Sequence, residues 1–129
     1  MLSFQRLDVY QRAITFLALT TELSAATPRG HAALLDQLRR ASTSIALNIA
    51  EGAGRTGPAD AARIYAIARG SAMECAAVLD TLQVLKALDA STHERGCELL
   101  GRIVAMLTRL CQGAGGMQAV DYRRDTSKS

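Results

Sequence analysis

The stretch Gln37–Arg55, QLRRASTSIALNIAEGAGR, carries two parallel stripes, and together they leave the chain few ways to fold. Leu34, Leu38, Ala41, Ile45 and Ile49 recur at steps of three and four, the apolar face of an α-helix. Gln37, Arg40, Ser44, Asn48, Glu51 and Arg55 recur at the same steps. At about 100° per residue this second row lies roughly 90° round from the first. An amide, a hydroxyl and opposite charges in a regular row can satisfy one another once a partner covers them. Two such seams side by side imply a helix covered on two sides, once within the subunit and once between subunits.

The same period extends through most of the chain. Helix one is expected over 8–25, with Val9, Ala13, Phe16, Leu17 and Leu23 buried and Asp8 as its cap. Thr27-Pro28-Arg29-Gly30 breaks the pattern, and helix two follows over 31–53. After a loop at Gly54–Gly57, Pro58 and Asp60 open helix three, expected over 59–88. Its buried arc is Ile64, Ile67, Ala68, Ser71, Cys75, Val78, Leu79, Leu82 and Leu85. Ser91 and Glu94 have the spacing of a capping box, which starts helix four. Leu99, Leu100, Ile103, Val104, Leu107 and Leu110 face inward there, opposite Glu94, Arg95, Glu98, Arg102 and Arg109. Beyond Gln112 the pattern stops, and the glycine-rich, polar end reads as a disordered tail over 114–129. Hydrophobic residues make up 49% and aromatics only 4%, without tryptophan, which suits close helix packing. The expected fold is all-α, an antiparallel up-down four-helix bundle over 1–113.

Several chemistries are excluded by pattern. Gly52, Gly54 and Gly57 spell G-x-G-x-x-G, but the motif holds a dinucleotide only between a strand and a helix. Here it follows a helix, so the glycines are read as the end of helix two and no cofactor is expected. His31 and His93 are the only histidines, and neither follows a glutamate at the di-iron spacing. His93 and Cys97 stand one turn apart and supply half a zinc site, with no second pair evident, so no metal is expected. Ser42, Ser44 and Ser71 have no histidine at a recognisable spacing, and no catalytic residue is expected. Glu51 and Glu74 are instead expected to pair with Arg40, Arg55 or Arg69, since a charge bordering an apolar stripe needs a partner. Three cysteines on apolar faces read as buried free thiols of a reducing compartment. With no apolar leader and no membrane-length run, the protein is expected to be soluble and cytoplasmic.

The runs FQRLDVYQRA, QLRRASTSIALNIAEGAGR and IARGSAMEC together resemble one known family. Its members are small four-helix-bundle proteins encoded within intervening sequences of bacterial large-subunit ribosomal RNA genes. They are related to the accessory variability protein of diversity-generating retroelements. The resemblance keeps register over about residues 4–88 and continues more loosely to about 112. Gln37, Arg40, Ser44, Asn48, Glu51, Gly52 and Arg55 match the family's pattern on helix two. Arg69, Gly70, Ser71 and Glu74 match it on helix three. Ala53 stands where an aromatic is common. The resemblance implies a homopentamer and a basic surface that meets RNA or DNA, with a reverse transcriptase as a further partner. It also implies that Gln37, Arg40, Ser44, Asn48, Glu51, Ser71 and Glu74 build a polar network and the subunit contacts.

Net charge is only +3, yet 13 of the 15 positive residues are arginine. Arginine suits both bidentate phosphate contact and internal ion pairing. Arg29, Arg39, Arg55, Arg63 and Arg69 are the candidates for phosphate contact, and a solvated face with internal pairs is the other reading. No aromatics are interleaved with them, so contact to backbone phosphate rather than base stacking is expected. Two functions follow: a non-enzymatic nucleic-acid-associated adaptor, or a purely structural homo-oligomer.

Overall fold

The computed structural model describes residues 1–113, and the tail expected over 114–129 lies outside them. Four helices follow one another: α1 Asp8–Ala26, α2 Ala32–Ala53, α3 Pro58–Val84 and α4 Ala90–Gln112. No strand occurs among the described residues. Ahead of α1 stands a 3₁₀ turn, Ser3–Arg6, which the sequence pattern does not announce. It docks through the ring of Phe4, edge-on to Tyr10 at 5.0 Å between centroids.

The four helices close around one core. Phe16 of α1, Leu38, Ile45 and Ile49 of α2, and Tyr65, Leu79 and Leu82 of α3 meet Leu100, Ile103 and Leu107 of α4 there, all under 2% exposed. Each such side chain contributes about 1.5–3 kcal/mol on burial. α2 packs on α3 and α3 on α4, while α1 bridges α2 and α4. Among the described residues no helix is long and apolar enough to cross a membrane.

The structure departs from the sequence pattern mainly at helix ends. Asp8 is the first residue of α1 rather than its cap, and its carboxylate pairs with Arg12 at 3.2 Å. Asp89, not Ser91, caps α4: its Oδ1 accepts the Thr92 backbone N–H at 2.8 Å and the Ser91 hydroxyl at 3.1 Å. A carboxylate is the stronger acceptor for these donors, so the Ser91–Glu94 spacing is not used as a box. α3 stops at Val84, short of the expected residue 88. There Lys86 turns left-handed at φ 59°, its N–H bonds Gln83 O, and the Ala87 N–H bonds Leu82 O, both at 2.9 Å. This is a Schellman ending with a lysine where glycine is usual. Ile67 and Leu85, expected inside, are 45% and 50% exposed.

The glycines at the end of α2 divide their work. Gly54 caps the helix with right-handed backbone, but Gly52 lies within α2 and is buried. A Cβ there would stand 2.8 Å from Cε1 of the Tyr65 ring. Gly52 therefore sets how closely α2 and α3 cross.

Candidate nucleic-acid and assembly interface

The polar row of α2 faces α3, which supplies its partners. Gln37 Nε2 donates to Glu74 Oε2 at 3.0 Å. The hydroxyls of Ser44 and Ser71 meet at 2.8 Å, and Asn48 Nδ2 donates to both the Ser44 carbonyl at 2.9 Å and Ser44 Oγ at 3.0 Å. Ser71 thus bonds across to α2 rather than back along its own helix. Gln37, Ser44, Asn48 and Ser71 are half-buried within a single chain. The network is not closed: the Asn48 Oδ1 and one of the two serine hydroxyl protons find no partner among the described residues. Leu47, one helical turn from Ser44 and from Glu51, is 65% exposed beside it, and Ile67 lies one turn from Ser71.

Arg40 and Glu51 pair with residues on their own side of the seam, and Arg55 also reaches Asp60 of α3. Arg40 pairs with Asp36, which also binds Arg39, so Arg40 meets neither Glu51 nor Glu74. Glu51 pairs with Arg55, as the spacing suggests, whereas Glu74 takes the Gln37 amide in place of an arginine. Two arginines hold the Asp36 carboxyl below its usual range, the Arg39 hydrogen bond first among the causes.

The five candidate phosphate-contacting arginines do not gather into one patch. Arg55 and Arg63 converge on Asp60 at the α2–α3 turn, at 3.2 and 2.9 Å. The hydrogen bond from Arg63 is the chief cause that lowers the Asp60 pKa, and Glu51 and Asp60 raise that of Arg55. Arg39 lies a helix length away beside Asp36, its side chain 69% exposed. Arg69 is half-buried, and its Nε donates to Thr108 Oγ1 at 2.7 Å, tying α3 to α4. Arg29 stands in the α1–α2 turn, exposed and without an ion pair to any described residue.

Two features were not legible in the sequence. A groove of about 540 Å³ runs between α1 and α4, with Arg12, Arg95 and Arg102 facing Glu22 and Glu98. The Nε of Arg12 is buried there without a hydrogen bond, near Asp8 but out of line with it. Near the α3–α4 turn, Asp80 joins His93 and Cys97, adding a third donor to the helix-four pair. Only the fold brings Asp80 there, since no periodic spacing links it to residue 93. As for the serines, Ser42 is buried and donates to the Arg39 carbonyl, while Ser44 and Ser71 bond each other. Cys75 is fully buried, and burial pushes its thiol up to about 12; Cys97 and Cys111 are only half-buried, contrary to the expectation of three core thiols. Gly54–Gly57 joins two helices, with no strand before it among the described residues.

The family model described as 23S rRNA-intervening sequence protein matches residues 5–109. Among curated proteins, no match was found.

Proposed function

We propose that this chain, which belongs to the 23S rRNA-intervening sequence protein family, is a non-enzymatic, self-assembling adaptor that binds the phosphate backbone of RNA or DNA. The observation that carries this reading is the open α2–α3 seam. Half-buried amide and hydroxyl groups with unused hydrogen-bonding capacity, bordered by exposed Leu47, are what a second copy would complete. An antiparallel up-down bundle forms each subunit: partner positions on α3 fall as those on α2 rise, from Gln37–Glu74 through Ser44–Ser71 to Gly52–Tyr65. Subunits related by this seam close into a homopentamer in the cytoplasm, and a reverse transcriptase is a further partner of the ring.

The arginines supply the nucleic-acid contact. Arg39 and Arg63 are 69% and 62% exposed even while paired, and an exposed ion pair exchanges its carboxylate for a phosphate readily. Binding would then weaken log-linearly with salt as counterions are released. Fluorescence anisotropy with structured RNA and duplex DNA, titrated across salt, tests this. Replacing Arg29, Arg39 and Arg63 together by alanine should reduce affinity and flatten the salt slope. Arg69 is left alone because its bond to Thr108 holds two helices together. Unchanged affinity in that triple variant would remove the nucleic-acid role.

A second reading, a homo-oligomer without nucleic-acid contact, is favoured by one observation: Arg39, Arg55 and Arg63 already have carboxylate partners. Both readings need the seam. Asn48→Leu deletes the donor to Ser44 and should alter the assembled mass in light scattering; an unaltered mass and stability would take the seam out of assembly.

A further inference from the structure

We propose that Asp80, His93 and Cys97 form a binding site for a divalent metal of the zinc class, clamping α3 to α4 beside their connecting turn. His93 and Cys97 stand one turn apart on α4 and present Nε2 and Sγ on the same face, 3.5 Å apart. Asp80 reaches across from α3 and places Oδ1 2.7 Å from the same Nε2. All three ligand atoms lie within 4.8 Å of one another. This revises the expectation that the His93–Cys97 pair lacks further ligands.

Two geometric points favour a metal over other uses of these groups. Zinc holds nitrogen at about 2.0–2.1 Å and sulfur at about 2.3 Å, so a tetrahedral N···S edge is about 3.5 Å. The observed separation already matches it. The N···O edge must open by about 0.7 Å, and Asp80, 68% exposed, is free to swing that far. Secondly, a Cys–His–Asp nucleophile needs thiol and carboxylate on opposite ring nitrogens. Here both face Nε2, so His93 cannot relay a proton between them. Two donors that can carry negative charge converging on one imidazole nitrogen is instead a cation's coordination sphere. A mixed N, S and O set suits zinc, and three protein ligands leave the fourth position to water.

Binding balances simply. The Cys97 S–H bond breaks and its proton goes to solvent, the sulfur lone pair taking the metal. The imidazole proton settles on Nδ1, so that the Nε2 lone pair coordinates. Asp80 exchanges its hydrogen bond to His93 for a metal–oxygen bond.

Cobalt(II) is the probe, because a Co–thiolate centre has a charge-transfer band and tetrahedral d–d bands. The full chain, reduced and freed of metal, should bind one equivalent of Co2+ with both band types, and Zn2+ should displace it. Zn2+ should also raise the melting temperature, since the site exists only in the folded chain. Cys97→Ser should abolish the charge-transfer band, whereas Cys75→Ser and Cys111→Ser should keep it. Asp80→Asn and His93→Gln should weaken binding roughly tenfold or more. Because Asp80 is exposed, Asp80→Asn should fold as the parent does, which keeps the test open if a core variant does not. Absence of the band in the parent, its persistence in Cys97→Ser, or unweakened binding by Asp80→Asn would overturn the proposal.

Discussion

Gly52→Ala is the sharpest probe of how α2 and α3 fit together. An added Cβ would stand 2.8 Å from Cε1, 2.9 Å from Cδ1 and 3.2 Å from Cζ of Tyr65. Carbon atoms sit comfortably only at about 3.5–4.0 Å, so the two helices must part by about 0.7 Å or the ring must turn. Turning is blocked, since Tyr65 is 1% exposed and packed on every side. Overpacking of this kind costs about 1–3 kcal/mol. Alanine returns about 0.8–1 kcal/mol through its higher helix propensity. The net loss should be about 1 kcal/mol, a fall in melting temperature of roughly 4 °C for a chain of this size. Urea and thermal unfolding, followed by circular dichroism at one fixed protein concentration, measure it. In a Tyr65→Leu background the ring is gone, and the same substitution should become neutral or stabilising. A Gly52→Ala protein that melts higher than the parent would refute the close approach. So would an equal penalty with and without the Tyr65 ring.

Other expected outcomes come from single local features. Lys86→Gly should stabilise the chain by about 0.5–1 kcal/mol in urea unfolding, because glycine adopts φ 59° without the cost a lysine bears there; Lys86→Ala should bring no such gain. The Thr92 backbone N–H lowers the Asp89 pKa, and arginines do the same for Asp36 and Asp60. A carboxyl with a depressed folded pKa stabilises the protein above its ordinary value of 3.8, and the effect is lost as pH falls through the folded pKa. The melting temperature should therefore drop below about pH 4, and less steeply in Asp89→Asn; an identical acid profile would deny Asp89 its part. Thiol reagents on the native protein should label Cys97 and Cys111 before Cys75, as read by mass spectrometry, since Cys75 is fully buried whereas the other two are half-buried.

Much of the fold was legible because the governing signal is local. The step of three and four through Leu38, Ala41, Ile45 and Ile49 placed one face of α2 in the core, where all four lie. Helix ends were read less well, because a cap depends on one side chain reaching one N–H. The spacing pointed to Ser91, whereas the backbone puts Asp89 at the cap. Nothing in the sequence marks Lys86 as a left-handed residue, since glycine is the usual signal there. Gly52 was misread for the opposite reason: it resembles a helix terminator, and its true constraint is a tyrosine ring on another helix.

The candidate site divides in the same way. The polar row of α2 was visible as a regular run of Gln37, Ser44 and Asn48, because helical periodicity is a property of the backbone alone. That Ser44 meets Ser71 and Gln37 meets Glu74 was decided by packing, for those pairs lie 27 and 37 residues apart. The arginines show the limit most clearly. Their number and positions were plain, yet Arg69 turned inward to Thr108 while Arg39 and Arg63 stayed at the surface beside aspartates. The sequence alone determined four amphipathic helices and a second, polar seam on one of them. Tertiary structure decided which polar groups share a surface, because hydrogen bonds and ion pairs form between neighbours in space, whereas a helical period records only neighbours along one helix.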